Sequence, residues 1–160
     1  MMRRKAAEYT QSCIDEIRSI SKRLSAPQQK HISLHDAIKE LVSSITVSEG
    51  LTIQTKIDDV KHVPEDLYLT IYRIVQEALN NMLKYSHATE SAIELVLRGN
   101  LLHLTINDNG VGFDVTAKRS GTGLSNMRTR AQHMNASHFH IFSAPGNGCS
   151  IQITFPIERM

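Results

Sequence analysis

The stretch that decides the interpretation of this chain is IVQEALNNMLKY, residues 74–85. It lies in a helix that Pro64 is well placed to start, and its apolar side chains recur at the three- and four-residue steps of one buried helix face. Glu77, Asn81 and Lys84 flank that face in one row, because steps of four and seven residues nearly complete whole turns. An amide oxygen can coordinate Mg²⁺, Lys can neutralise phosphate, and Glu can orient or deprotonate a nucleophile. The row therefore suits a metal–triphosphate, although a solvated face with Glu–Lys pairs is the more common explanation when the row is taken alone.

A second polar position ends a predicted strand over residues 101–108. The apolar side chains at its even positions point to one face, and the period of two places Asp108 on the same face. A carboxylate that continues an apolar row needs a hydrogen-bond donor, for which the exocyclic amine of adenine is suitable. Gly110 and Gly112 follow and let the backbone approach a ligand closely. The alternative is an ordinary Asp-Asn-Gly turn in which Asp108 caps the loop.

A third segment precedes a predicted helix over 123–134 and consists of Gly121, Thr122, Gly123 and Leu124. Small residues at this point would expose free helix N–H groups, which together with the helix dipole favour a phosphate. Residues of about 113–122 would then form a mobile lid over a nucleotide. A plain loop is the alternative. The chain contains no Walker A motif and no protein-kinase glycine-rich loop with its strand lysine.

Periodicity along the whole chain predicts the fold class. Helices are expected at 5–25, from 34 onward, from 64 onward and at 123–134, and strands at 51–57, 91–98, 101–108, 137–142 and 149–155. Gly99-Asn100 is a two-residue hairpin turn. Helices grouped on one face of a mixed, mostly antiparallel sheet make a two-layer α/β (α+β) sandwich, with one further helix at the N-terminus.

Composition excludes several classes of function. The chain has 160 residues, a formal net charge of +2 and 41% hydrophobic residues, which suits one globular domain and gives no basic face for nucleic acid. Two cysteines without a CxxC pair predict neither a disulfide framework nor a zinc site. No apolar run is long enough to span a bilayer. We therefore expect a cytoplasmic domain with no membrane segment in this chain and no nucleic-acid partner.

Taken in this order, the three segments resemble the N, G1 and G2 boxes of the histidine kinase, gyrase, Hsp90 and MutL ATPase superfamily, which has the Bergerat-type ATP-binding fold. They are most similar to sensor kinases of the nitrate-sensor and desaturase-sensor type. DNGVGF at 108–113 matches the G1 pattern fully, and the resemblance covers roughly residues 34–157. Met82 stands where Ala is usual in that subfamily, and Tyr85 stands where His is usual.

The resemblance implies roles for individual residues. Asn81 would bind Mg²⁺, Glu77 would polarise the attacking group, and Asp108 would bind the adenine amine. Lys84 and Tyr85 would contact phosphate, and the glycines would shape the pocket and its lid. The nucleotide-binding positions implied are Asn81, Lys84, Tyr85, Asp108, Gly110, Gly112, Gly121, Thr122, Gly123, Leu124 and Met127.

The resemblance also implies a function and a division of the chain. Residues 1–26 resemble the second helix of a dimerisation hairpin, and 27–160 would be the ATP-binding catalytic domain of a two-component sensor histidine kinase. This domain would pass the γ-phosphoryl of ATP to a histidine on a dimerisation helix that is absent from this chain, for relay to a response regulator, within a homodimeric parent protein. The alternatives are a serine kinase of the anti-sigma type and a nucleotide-binding module without transfer activity.

Overall fold

The computed structural model describes residues 32–61, 63–116 and 122–157. The described elements agree with the predicted ones to within one or two residues, and the predicted helix at 5–25 lies outside the described residues. Three α-helices and five strands are described, and the second α-helix continues directly into a π-helical turn. They are α1 (Leu34–Glu49), β1 (Thr52–Ile57), α2 (Glu65–Asn81), the π turn (Met82–Ser86), β2 (Glu90–Arg98), β3 (Leu101–Asp108), α3 (Thr122–His133), β4 (His138–Ser143) and β5 (Cys149–Pro156).

The five strands form one mixed sheet in the order β1-β2-β3-β5-β4. β1 runs parallel to β2, and the other three pairings are antiparallel. β2 and β3 form a hairpin closed by Gly99, whose φ of 64° suits a residue without a side chain. β4 and β5 form a second hairpin, and the β3–β5 pairing joins the two. In that seam Ile106 lies opposite Ile151 and Asp108 lies opposite Cys149.

The first described helix begins at a side-chain cap. Ser33 is extended, and its hydroxyl oxygen accepts a hydrogen bond from the backbone N–H of Asp36 at 3.1 Å. The same hydroxyl donates to the Asp36 carboxylate at 2.8 Å, so the two side chains are also joined directly. Gly50 ends α1 in the left-handed region with a φ of 69°, a conformation that favours glycine.

The helices bury their apolar faces against one face of the sheet, and the predicted two-layer sandwich is confirmed. Every position predicted for the buried face of α2 is buried, from Leu67 to Met82. The inward positions of β2, β3 and β5 complete the same cluster, because alternate side chains of a strand share one face. The largest fully buried side chains are Ile38, Ile71, Ile74, Leu79, Ile93, Leu95, Leu102, Leu104, Ile106, Met127, Ile153 and Phe155.

The end of α2 departs from the simple helix that the sequence predicts. After Asn81 the backbone widens into the π turn, and His87 then reverses the chain with a φ of 51°. A π turn holds more residues than an α turn, so the rotation per residue becomes smaller. Lys84 therefore leaves the row that α-helical spacing assigned to it beside Glu77 and Asn81. Short π-helical segments are found frequently at functional sites.

Candidate functional site

One cavity of about 580 Å³ opens between the end of α2, the tip of β3 and the start of α3. This volume lies within the range of roughly 300–1,000 Å³ that is typical of small-molecule sites. The wall combines apolar side chains with a few polar groups, which is the usual composition of a ligand pocket. Its lining residues are Ala78, Asn81, Met82, Tyr85, Ser86, Ile106, Asp108, Gly112, Phe113, Asp114, Gly123, Leu124, Cys149 and Ile151.

Asp108 stands at the strand tip, as predicted, and faces the cavity beyond buried Ile106. Its carboxylate accepts hydrogen bonds from the backbone N–H groups of Gly110, at 2.9 Å, and Cys149. Burial raises the pKa of Asp108 above its ordinary value, and these two backbone donors partly offset that rise. A carboxylate has about four lone-pair sites, so two backbone bonds leave capacity for a further donor in the cavity.

The backbone after Asp108 passes too close to its neighbours for side chains. A Cβ at Gly110 would overlap the carbonyl oxygen of Ser86, and a Cβ at Gly112 would overlap that of Ala144. Gly112 also has a φ of 61°, in the left-handed region. Glycine is therefore required at both positions by close approach, which explains why the motif contains two glycines in three residues.

Hydrogen bonds tie the same loop to the turn between β4 and β5. The backbone N–H of Gly148 donates to the carbonyl of Gly110 at 2.9 Å, and that of Gly146 donates to the carbonyl of Val111 at 2.6 Å. The hydroxyl of Ser143 accepts from the N–H of Phe113 at 2.9 Å and donates to the carbonyl of Gly148. The Asp108 end of the cavity is therefore built mainly by backbone.

Cys149 lines the cavity beside Asp108, and it is a free thiol. Burial, followed by the nearby negative charge of Asp108, raises the pKa of Cys149 to about 11. Thiol reactivity depends on the thiolate, so this side chain is a poor nucleophile at neutral pH. In this wall it acts as a small, weakly polar group.

The other end of the cavity is built by side chains of α2. A Cβ at Gly123 would overlap the Glu77 carboxylate, and it would lie 3.3 Å from Nδ2 of Asn81. Glu77 and Asn81 therefore lie side by side against the start of α3, and glycine at 123 makes this approach possible. The structure brings a carboxylate and an amide together here, as the row on the helix predicted.

Not every predicted site residue lines the cavity. Lys84 is exposed in the π turn and is not part of the wall, and neither are Glu77 and Gly110. Tyr85 lies at the rim with 67% of its surface exposed. Met127 is fully buried in the core instead of facing a ligand. Gly121 lies outside the described residues, as do the side chain of Thr122 and most of the predicted lid.

The cavity also contains residues that the sequence motifs did not identify, notably Cys149, Asp114 and Ile151. Knowledge of the strand pairing would have identified two of them, because Cys149 lies opposite Asp108 and Ile151 lies opposite Ile106 in the β3–β5 register. Asp114 directly follows the G1 motif, where a polar side chain carries no periodic pattern that would mark it.

The profile of the family described as "Histidine kinase-, DNA gyrase B-, and HSP90-like ATPase" matches residues 66–159, which include α2, the cavity and the whole of β2 to β5. The chain belongs to this ATPase family. The family resemblance predicted from the three motifs is confirmed, and ATP is the ligand that the family implies for the cavity.

Individual relatives agree with the family. "Sensor protein VraS" of Staphylococcus aureus is 36% identical over 145 residues, and "Sensor protein VraS" of Staphylococcus haemolyticus is 37% identical over 145 residues. Each alignment covers 90% of this chain and 41% of the relative, so the chain spans about two fifths of the length of those proteins. The predicted relationship to sensor kinases is thereby confirmed.

Solved structures confirm the fold. The histidine kinase domain of the Erythrobacter litoralis blue-light activated histidine kinase superposes with a TM-score of 0.66 at 22% identity. The superposition covers 83% of this chain and 65% of that chain. Within the described residues, no helix has the length and apolarity required to cross a bilayer.

Proposed function

We propose that this ATPase domain is the catalytic domain of a sensor histidine kinase and passes the γ-phosphoryl group of ATP to a histidine on a dimerisation helix. One observation carries the proposal. A single cavity receives an amide from a helix, Asn81, and a carboxylate from a strand tip, Asp108. These groups suit the two chemically different ends of one Mg·ATP.

The adenine end is the Asp108 end. The carboxylate is held by two backbone N–H groups and has capacity to accept a third hydrogen bond, which the exocyclic amine of adenine supplies. The apolar side chains of Ile106 and Ile151 offer surface for the base, and the glycine loop of 110–112 approaches closely enough to enclose it. Guanine has a carbonyl oxygen where adenine has its exocyclic amine. That oxygen and the Asp108 carboxylate are both hydrogen-bond acceptors, so they would not pair.

The phosphates and Mg²⁺ would lie at the Asn81 end. Mg²⁺ prefers hard oxygen ligands and is usually held by one or two protein groups together with substrate phosphates and water. The amide oxygen of Asn81 fits this chemistry, and the Glu77 carboxylate lies beside it. Mg²⁺ bound there would neutralise charge on the phosphates. Lys84 is a long exposed cation next to the cavity wall, and Tyr85 places a hydroxyl at the rim, so both remain candidates for phosphate contact.

The transfer step needs few protein groups. A histidine nitrogen attacks the γ-phosphorus, the bond to the ADP oxygen breaks, and ADP leaves. Glu77 would accept a hydrogen bond from the attacking imidazole and orient it, which is a general-base or orienting role. The remaining contribution is positioning and charge neutralisation, which dominate phosphoryl transfer.

The wider context follows from the relatives. This chain spans 41% of the length of those sensor proteins, and in our proposal it works together with further segments of a longer parent protein. We propose that these include a dimerisation hairpin, that the parent protein is a homodimer in which 1–26 and 27–160 form two domains, and that a response regulator receives the phosphoryl group. Residues of about 113–122 would serve as the lid. ATP supply requires this domain to lie in the cytoplasm.

The named relatives are sensor proteins, and this favours the proposal over an anti-sigma serine kinase. No observation favours a module without transfer activity. The Glu77 carboxylate lies beside Asn81, where it suits a transfer reaction.

The nucleotide site is tested by calorimetric titration of the whole chain with ATP in the presence of Mg²⁺. The expected result is saturable binding of ATP. We expect Asn81→Ala to lower the ATP affinity at least about tenfold, which corresponds to roughly 1.4 kcal/mol of binding free energy. Asn80→Ala is the matched control, since Asn80 is the adjacent residue of α2 and is not part of the cavity wall. Equal affinities in the two variants would refute the site.

Transfer is tested separately by joining the chain to a dimerisation hairpin that carries a phosphoacceptor histidine. With ATP labelled at the γ-phosphate, we expect a labelled protein whose label is lost in acid and retained in base. Glu77→Gln should lower the rate of labelling more than it lowers ATP affinity. Absence of label despite ATP binding would leave the non-transferring module as the function.

A further inference from the structure

The end of α2 is joined to the loop after Asp108 through Ser86, the last residue of the π turn. The hydroxyl of Ser86 donates a hydrogen bond to the carbonyl oxygen of Met82 at 2.9 Å and accepts one from the N–H of Ala88 at 3.1 Å. One bond holds the last helical turn, and the other holds the chain after its reversal at His87. The hydroxyl therefore fixes the direction in which the backbone leaves the helix.

The backbone of Ser86 contacts the opposite wall of the cavity. Its carbonyl oxygen accepts the N–H of Val111 at 2.7 Å, and a Cβ at Gly110 would lie 2.7 Å from Ser86 Cβ. Gly110 is the residue whose N–H binds the Asp108 carboxylate at 2.9 Å. Ser86 thus lies one contact away from the group that orients Asp108.

The position of Ser86 along the chain gives this contact its importance. Asn81 is the last α-helical residue, and the π turn is the only segment between it and the chain reversal at His87. The distance from Asn81 to Asp108 therefore depends on how the π turn is held against the 110–111 backbone. The carbonyl of Ser86 bonds to the 110–111 backbone. Its hydroxyl donates to one backbone group of the π turn and accepts from a backbone N–H beyond His87.

We propose that Ser86 is a positioning residue that aligns the helix-borne Asn81 with Asp108, so that one Mg·ATP reaches both. This inference rests on the proposed nucleotide-binding function. Ser86 is itself part of the cavity wall, but the proposed role acts through Asn81 and Asp108 and requires no hydrogen bond from Ser86 to the nucleotide. A purely structural role at the helix end would lower the stability of the fold but would not change how the two ends of the cavity cooperate.

The cooperation between the ends is measured as the increase in ATP affinity when Mg²⁺ replaces EDTA. We expect Ser86→Ala to reduce this increase about five- to tenfold, since that is the effect of misplacing one good interaction. Ser86→Thr keeps the hydroxyl and should restore the increase. Ser43→Ala is the matched control, because Ser43 donates to the carbonyl four residues earlier on α1, at 2.8 Å, and is not part of the cavity wall.

Two outcomes overturn the inference. One is an unchanged Mg²⁺-dependent increase in Ser86→Ala, and the other is an equal loss of ATP affinity with and without Mg²⁺. If Ser86→Ala does not fold, Ser86→Cys replaces it in the same assay, because a thiol has similar size and is a weak donor. Failure of the wild-type chain to bind ATP would refute the proposed function itself, whereas Mg²⁺-dependent wild-type binding with no response at Ser86 refutes this inference alone.

Discussion

Backbone groups build one end of the cavity, whereas side chains build the other end. At the Asp108 end, backbone N–H groups orient the carboxylate, and backbone bonds from the turn between β4 and β5 hold the glycine loop. At the other end, Glu77 and Asn81 project from one helix and meet Gly123 at the start of another. A site made by backbone is fixed when the sheet forms, whereas side chains between two helices depend on how those helices approach. We therefore expect the base site to be preformed and the metal–phosphate site to adjust on binding.

The largest effect should come from the preformed end. Asp108→Asn keeps the shape of the side chain but turns one acceptor into a donor that faces the adenine amine. We expect ATP affinity to fall by about ten- to a hundredfold, because a buried polar group left without its partner costs about 1–3 kcal/mol. The free energy of unfolding should stay the same or rise, since the substitution removes a carboxylate whose charge is penalised by burial.

Calorimetry with ATP and thermal denaturation measure the two quantities on the same samples. Retained affinity for ATP would show that Asp108 does not bind the base. A large drop in stability would show that its main role is structural.

The adjustable end is tested by Gly123→Ala. The added Cβ would overlap the Glu77 carboxylate and crowd the Asn81 amide, so the two side chains must move apart. We expect ATP affinity to fall about tenfold in Mg²⁺ and to change little in EDTA. Ser125→Ala, an exposed position in the first turn of the same helix, is the control. An equal loss of ATP affinity in Mg²⁺ and in EDTA would mean that the two ends of the cavity do not contribute to binding independently.

A smaller effect is expected from pH. The raised pKa of Asp108 means that this carboxylate is protonated at a higher pH than an ordinary Asp as the solution is acidified. Protonation removes an acceptor, so as the solution is acidified ATP affinity should begin to decline at a higher pH than a carboxyl with the usual pKa of about 3.9 would cause. The Asp108→Asn variant has no titrating group at this position but experiences the same protonation of ATP itself, so it serves as the reference.

The contribution of Asp108 to stability has the opposite sign. Its folded-state pKa is raised, so its charged form opposes folding at neutral pH, and this opposition is relieved as pH falls through the folded pKa. ATP titrations that are independent of pH, after correction with the reference, would show that Asp108 is not the titrating acceptor.

The smallest effect on the site is expected from the helix cap. Ser33→Ala removes the hydroxyl that accepts the N–H of Asp36, and loss of such a cap costs about 1 kcal/mol. Neither end of the cavity includes α1, so ATP affinity should be unchanged. Chemical denaturation measures the stability, and a change in affinity would show that the ends are coupled to the whole fold.

The sequence was sufficient for the fold because each element carries a strong local pattern. The buried stripe of α2, the alternation of β3 and the Gly99 turn each specify one structure with little dependence on distant contacts. The orientation of Asp108 toward the cavity also followed from the alternation of side chains along β3, which has a period of two residues. These predictions needed no knowledge of the ligand.

The sequence was insufficient where the backbone departs from regular geometry or where distant segments meet. The spacing of Lys84 assumes an α-helix, and the π turn after Asn81 changes the rotation per residue. Met127 matched a family motif, but the helix directs it into the core. Cys149 joins the site only through β-strand pairing across 41 residues, which no local pattern records.

The seam between β3 and β5 has a consequence for how the protein acquires its activity. Each hairpin closes through a short connection, whereas the seam brings together segments far apart in sequence, and such contacts form late because loop closure opposes them. The Asp108–Cys149 pair lies on this seam, with one residue on each hairpin. A truncated or half-folded chain therefore has no base site, and competence to bind nucleotide reports on completed assembly of the whole sheet.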